Sequence, residues 1–238
     1  MEKKCDLVIW VGAGISMDMP TRLPSGNELI SFVREQVGMY PDKILDIWNA
    51  VNEVVKEDIH TANYPRLELV LSSVAYAERY LVEGKFFSGF ESFAEVQFNY
   101  NHLLLAILLY NGATIFTANF DLCIEKTYEF FVSWKSGGQK KKRKKEIIYR
   151  TSRGAKIIHF HGTSVSGWSM GATLENIMNI VEHAVYTRIV SCFKKEKRNI
   201  FAGYSLSDTY DINSIIKRIY CTRDQQYTSR NYVCKMDV

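Results

Sequence analysis

The chain has 238 residues, 47% of them apolar and 4 of them proline. That is enough for one sizeable core, and it excludes a disordered or low-complexity chain. The net charge of +4 gathers largely in one run, Lys140 to Lys145. A nucleic-acid binder would spread basic residues over a face and interleave aromatics, so this run reads as a solvated loop and nucleic acid is not expected as a partner.

Five cysteines, at 5, 123, 192, 221 and 234, include no CxxC pair. The pattern excludes a zinc ribbon of the usual spacing and does not look like a disulfide framework. A reducing, cytoplasmic compartment is therefore the expectation. Lys3 and Lys4 precede a short apolar run that ends in Gly-Ala-Gly, not in a cleavable stretch, so no secretory signal is expected. The apolar run Leu103 to Tyr110 is far too short to cross a bilayer and reads as a buried helix segment.

In chain order, residues 6–11 (DLVIWV) form a candidate buried strand bounded by glycines. Helical patterning dominates from Asn27 to about Tyr110, with Leu29, Phe32, Val33 and Val37 on one face and Leu67, Leu71, Val74 and Leu81 on another. Residues 113–117 (ATIFT) are a second strand, and 122–132 a helix. Residues 135–146 are a loop, 147–149 a short strand, and 155–160 a strand running into His161-Gly162. A helix near 173–195, a strand at 199–202, a helix at 210–220 and an apolar stretch at 232–234 complete the chain.

Strands alternating with helices predict a Rossmann-like α/β fold on a parallel sheet. The helical stretch 27–110 is too long for one crossover. It is expected as a helical subdomain inserted into a single domain spanning 1–238.

Four polar, glycine-marked clusters each follow a predicted strand. They are Gly12-Ala13-Gly14-Ile15-Ser16, Thr117-Ala118-Asn119-Phe120-Asp121, His159-Phe160-His161-Gly162-Thr163, and the segment from Gly203 through Ser205 to Asp208. In a parallel sheet all strand C-termini lie along one edge, where ligands bind, so the four clusters converge on one crevice.

The first has two readings, a tight turn and a phosphate loop whose backbone N–H groups meet the charge. Met17 stands where the dinucleotide fingerprint wants a third glycine, and no acidic strand end follows about 20 residues later. Asp121, from its spacing, reads first as a helix cap, whereas Asn119 is open. Alternation along a strand would turn His159 and His161 the same way. They read as packed histidines, as metal ligands, or as a pair containing a general base. Gly167-Trp168-Ser169-Met170-Gly171 matches the serine-hydrolase elbow by chance: Glu175 and His183 follow too closely, and the residues before it make a poor strand.

Taken in order, GAGIS at 12–16, TANFD at 117–121, His161-Gly162, and GYSLSD at 203–208 resemble the sirtuin superfamily, and the last is similar to the ribose-binding loop of sirtuin-like proteins of bacterial antiphage defence. The resemblance implies that Gly12, Ala13, Gly14 and Ser16 line the pyrophosphate. It implies that Thr117 belongs to the cofactor-binding segment, and that Asn119 orients the nicotinamide-side ribose or the attacking water. Asp121 would hold the carboxamide, His161 would be the catalytic base, and Gly203, Ser205 and Asp208 would contact the adenosine half. His159 has no counterpart and is left structural.

The chain also departs from the deacylases of that family. It has no four-cysteine module between His161 and Gly203, no Phe-Gly-Glu after His161, and no Pro-Asp-Phe-Arg after the first loop, although Arg22 can take part of that role. Without a peptide clamp the ribosyl cation would pass to water, giving nicotinamide and ADP-ribose from NAD+ as substrate, with no metal needed. The expected role is an NAD-depleting effector of antiphage defence. Unregulated NAD+ loss would kill the cell, so a gate is expected, either a separate sensor protein or assembly into a homo-oligomer. The alternatives are ADP-ribosyl transfer or deacylation on the same site, a module that senses NAD+ or ADP-ribose without turnover, and a metal-dependent hydrolase built on His159 and His161.

Overall fold

The unbroken apolar run Leu7–Val11 forms β1, and a strand so apolar on both faces belongs in the middle of a parallel sheet. The structure, a computed structural model, describes residues 6–37, 67, 71–72, 92–93, 95–137, 157–164, 184–193, 197–204, 215 and 230–234. In it β1 lies between β2 (Thr114–Thr117) and β4 (Arg198–Ala202). Beyond them lie β3 (Ile157–His159) and β5 (Arg230–Cys234), giving the order β3-β2-β1-β4-β5 with every pairing parallel.

The register decides where the functional loops begin. Val11 pairs with Thr117 on one side and Ala202 on the other, and Thr117 pairs with His159. Four strands thus end on one row, and the clusters that follow them leave the sheet side by side. The chain steps from β1 to β2 on one side and returns to β4 on the other, so the crevice at the end of β1 is the topological switch point of the sheet.

Each face of the sheet is covered. Val8, Trp10, Phe116, Ile158 and Phe201 pack against helix α4 (Ala184–Cys192) through Ile189 and Cys192, and against Phe193 just beyond it. Trp10 is stacked on Phe116 at 4.4 Å, on Phe193 at 5.4 Å and on Phe201 at 5.8 Å between ring centroids. Its indole N–H donates to Asn199 Oδ1 at 2.9 Å, and Asn199 Nδ2 donates to the Cys192 carbonyl at 3.0 Å, so the polar atoms of this face are paired. On the opposite face Ile9, Val11, Ile115 and Ile157 meet Leu105 and Leu109 of α2 (Tyr100–Tyr110) and Ile124 of α3 (Cys123–Lys135).

Local sequence sets the helix starts. Ser25 and Glu28 form a reciprocal pair at the head of α1 (Gly26–Val37): the Glu28 N–H donates to Ser25 Oγ, and Glu28 Oε2 accepts the Ser25 N–H at 2.7 Å. Asn99 caps α2, its side chain accepting the N–H groups of Asn101 and His102. The buried segment expected at 103–110 is the body of α2, and no helix among the described residues is long and apolar enough to cross a membrane.

Strand β3 ends at His159, one residue before the expected end at 160. The chain turns after His159, where Gly162 at φ 81° returns its N–H to the His159 carbonyl at 3.3 Å. The helix expected over 122–132 runs on to Lys135. The expected subdomain 27–110 is described chiefly at its ends, by α1 and α2. The expected strand 147–149, the GxSxG match at 167–171, the basic run 140–145 and, apart from Ile215, the helix 210–220 lie outside the described residues.

Candidate functional site

The first cluster leaves β1 as one turn of 3-10 helix, Ala13–Ser16, and its glycines are needed where it meets the loop after β4. A Cβ on Gly12 would lie 2.7 Å from the Gly203 oxygen, one on Gly14 2.8 Å from Gly203 Cα, and one on Gly203 2.6 Å from the Ile15 nitrogen. Gly203 is also at φ +58°, a conformation that suits glycine. The two loops are locked together by Gly14 N–H to Gly203 O at 3.0 Å, with Gly12 N–H on Ala202 O at 3.3 Å and Ile15 N–H on Gly12 O at 3.2 Å. Three N–H groups of this loop are therefore held by protein carbonyls. The glycines give close approach of two loops at the switch point, in keeping with the tight-turn reading of this cluster.

That packing fixes Ser16, which is 1% exposed. Its hydroxyl donates to Asp121 Oδ2 at 2.9 Å and accepts from Asn119 Nδ2 at 3.0 Å. His102 Nε2 stands 3.1 Å from the same oxygen. Asp121 also accepts the Cys123 N–H on Oδ1 at 3.0 Å, an Asx-type turn one residue ahead of the N-cap Leu122, so the carboxylate steadies the approach to α3 and reaches into the site without being the helix cap itself. The Asn119 N–H donates to Thr117 Oγ1 at 3.0 Å, which gives buried Thr117 a structural part in this set.

His159 is buried with both ring nitrogens engaged: Nδ1 donates to the Asn119 carbonyl at 2.9 Å, and Nε2 lies 2.6 Å from Glu125 Oε1. Burial acts to lower its pKa, but the charge and hydrogen bond of Glu125 outweigh it, and the net shift is upward. His159 is thus a packed histidine that holds the backbone of Asn119. His161 lies beyond the end of the strand, where alternation no longer applies. It is 8% exposed and packs edge-on to Phe160 at 4.6 Å. Its loop is tied to the Asn119 loop by Phe160 N–H to Thr117 O at 3.1 Å and by Ser164 N–H to Phe120 O at 2.8 Å.

The structure brings Ser16, Thr117, Asn119 and Asp121 into one hydrogen-bonded set, with Gly12, Ala13, Gly14 and Gly203 beside it and His161 on the adjoining loop. Ser205 and Asp208 lie outside the described residues. Arg22 is exposed, at φ 48°, with its N–H on the Asp18 carbonyl. Sequence reasoning missed His102 and Glu125. Asn99-x-x-His102 just before an apolar run was a legible capping signal, whereas no spacing rule points from Glu125 to His159.

Among the described residues one three-donor group has metal-ligand chemistry, with His102, Asp121 and Cys123 offering atoms within 4.8 Å of one another. His102 Nε2 and Asp121 already bond Ser16, and burial, followed by Asp121, pushes the Cys123 thiol far up. A cation there would have to displace both bonds and a firmly held thiol proton.

A family model described as SIR2-like domain matches residues 113–234, just over half of the chain, from the residue before β2 to the end of β5. No curated protein matches the chain significantly. The matched span holds the Asn119, His161 and Gly203 clusters, and the fold brings Ser16, from outside that span, onto Asn119 and Asp121. The parallel five-stranded sheet, the loops converging at its switch point and the family match agree: the chain belongs to the SIR2-like family of the sirtuin superfamily, whose domain fits NAD-related chemistry.

Proposed function

We propose that this protein hydrolyses NAD+, cleaving the nicotinamide–ribose bond to give nicotinamide and ADP-ribose. The observation that supports this most is the buried set of Ser16, Asn119 and Asp121 at the C-terminal edge of the sheet, beside the His161 loop. Its donors and acceptors fit a ribose and a carboxamide: an amide, a carboxylate and an imidazole, with no cationic side chain among them. Glycosidic cleavage develops an oxocarbenium-like state as nicotinamide leaves neutral, and fixed dipoles supply much of the stabilisation.

In this reading Asn119 orients the ribose or the attacking water, and Asp121 holds the carboxamide. With Nδ2 committed to Ser16, the amide oxygen of Asn119 is its acceptor toward substrate. His161 accepts the proton that water loses as its oxygen bonds the anomeric carbon. Gly12, Ala13, Gly14, Gly203, Ser205 and Asp208 surround the pyrophosphate and the adenosine half. The sequence lacks the four-cysteine module and the Phe-Gly-Glu segment that would hold an acylated peptide, which favours water as acceptor.

The biological role we propose is NAD+ depletion in antiphage defence, in a single domain whose segment 27–110 receives an activating partner or a second copy. Full activity of an isolated monomer would rule out this gate. The chemistry is tested by incubating purified protein with NAD+ and separating products by chromatography, beside Asn119→Ala and His161→Ala. Free nicotinamide and ADP-ribose from wild type and from neither variant is the expected result. ADP-ribose attached to protein would show transfer in place of hydrolysis, and absence of NAD+ binding would refute the assignment.

A further inference from the structure

We infer that His102 is a positioning residue of the NAD+ site, acting through Ser16 on Asn119 and Asp121; this rests on the function proposed above. The hydrogens available to this set fix its pattern of donors and acceptors. The Asn99 backbone N–H lies 3.1 Å from His102 Nδ1 and can only donate, so Nδ1 accepts. In the neutral ring the hydrogen then sits on Nε2, which donates to Ser16 Oγ at 3.1 Å. The hydroxyl has one hydrogen, directed at Asp121 Oδ2, and its remaining lone pair takes Asn119 Nδ2–H. Every member has one role left to it, and the Asn119 amide has one orientation that satisfies the set.

The same histidine is rooted in the start of α2. Asn99 and His102 form the capping pair, and Asn99 Nδ2 reaches the carbonyls of Ile15 at 2.9 Å and Asp18 at 3.2 Å. The helix cap, the Ser16 turn and the Asn119 loop are therefore one hydrogen-bonded body. A second proton on His102 would set N–H against the Asn99 N–H and break it. The titratable groups facing the ring are Asp121 from the loop after β2, and Glu125 and Cys123 from α3. Burial outweighs the two carboxylates and keeps the ring neutral.

The test joins NMR of the [15N]histidine-labelled protein to kinetics on NAD+. The NMR is expected to show a neutral Nε2–H tautomer for His102 at pH 7 that resists protonation as the pH falls. His102→Ala is expected to lower kcat by roughly 10- to 100-fold with a small change in KM, the scale of a misplaced catalytic group. His102→Gln, whose amide can accept from Asn99 and donate toward Ser16, restores most of that loss. Adding His102→Ala to Ser16→Ala costs little further. A cationic or Nδ1–H ring at pH 7, or full additivity of the two substitutions, would overturn the inference. So would unchanged kcat in Ser16→Ala, a variant that leaves the helix cap intact and decides the matter if His102→Ala does not fold. Wild type that neither binds nor cleaves NAD+ would bring down the functional reading itself. Wild type that turns over NAD+ with His102→Ala equally active would bring down this inference alone.

Discussion

The aromatic face of the sheet and its polar C-terminal edge are built by opposite rules. Toward α4, Trp10 lies among aromatic rings, and Asn199 is a buried polar side chain with both ends of its amide paired. At the C-terminal edge and toward α3, burial gathers Ser16, His102, Asn119, Asp121, Glu125 and His159. Among the described residues, the buried side-chain atoms without a partner, Thr21 Oγ1, Glu125 Oε2 and Ser164 Oγ, lie outside the Trp10 cluster. An apolar core gains stability from each group it buries, whereas buried polar groups cost stability unless satisfied and are retained where they hold chemistry in place. The first region is a foundation for the fold, and the second gives up stability for geometry.

The largest effects are expected from one residue in each region. His161→Ala is expected to lower NAD+ turnover by about 10²- to 10⁴-fold, the usual contribution of a general base, while its urea midpoint stays near that of wild type. A comparable loss of folding stability with turnover retained would move His161 into the foundation. Trp10→Ala should do the reverse, costing about 3–5 kcal/mol in urea denaturation through the lost transfer energy and the cavity left among three rings.

Between these lies the Glu125–His159 pair. Glu125→Ala removes one partner of a buried ion pair and is expected to cost up to about 3–5 kcal/mol. It should also loosen Asn119, whose carbonyl His159 holds, so stability and turnover fall together. Stability unchanged in this variant would show that the pair is not charged in the fold.

The two buried histidines predict opposite pH effects, smaller than these. The pKa of His159 is raised, so its contribution to stability is full below the unfolded value of about 6.5 and is lost as pH rises through the folded value. The pKa of His102 is lowered, so as pH falls below about 6.5 the unfolded chain takes up a proton that the folded ring refuses, and stability declines. His102→Gln should therefore flatten the acid side of a plot of melting temperature against pH and leave the alkaline side alone. A curve unchanged on both sides would contradict the neutral assignment of His102.

The foundation was largely legible in the sequence. Apolar runs at 6–11, 113–117 and 199–202 mark strands that the structure places at β1, β2 and β4, because strands buried on both faces leave a continuous apolar signature. The parallel arrangement of the sheet followed from alternation with helices, and the convergence of the clusters at one edge followed from that arrangement. The connections within the site were less legible. Ser16 and Asp121 are 105 positions apart and Ser16 and His102 are 86 apart, and no local pattern encodes such a contact. The packing role of Gly12 and Gly14 was hidden for the same reason, since the neighbour that demands glycine, Gly203, arrives from the far end of the chain. His159 read correctly as a packed residue, but its pairing with Glu125 needed the β3–α3 packing to bring the two together.

The most direct measurement sets the two buried asparagines against each other: NAD+ turnover and melting temperature of Asn119→Ala and Asn199→Ala, assayed where both are folded. Asn199→Ala leaves the Trp10 indole N–H and the Cys192 carbonyl without their partner, so it should lose about 1–3 kcal/mol of stability per unmet group and keep its kcat. Asn119→Ala should lose turnover out of proportion to any change in melting temperature. Equal loss of turnover in both variants, or NAD+ hydrolysis undiminished in Asn119→Ala, would contradict the assignment of the polar edge as the catalytic site.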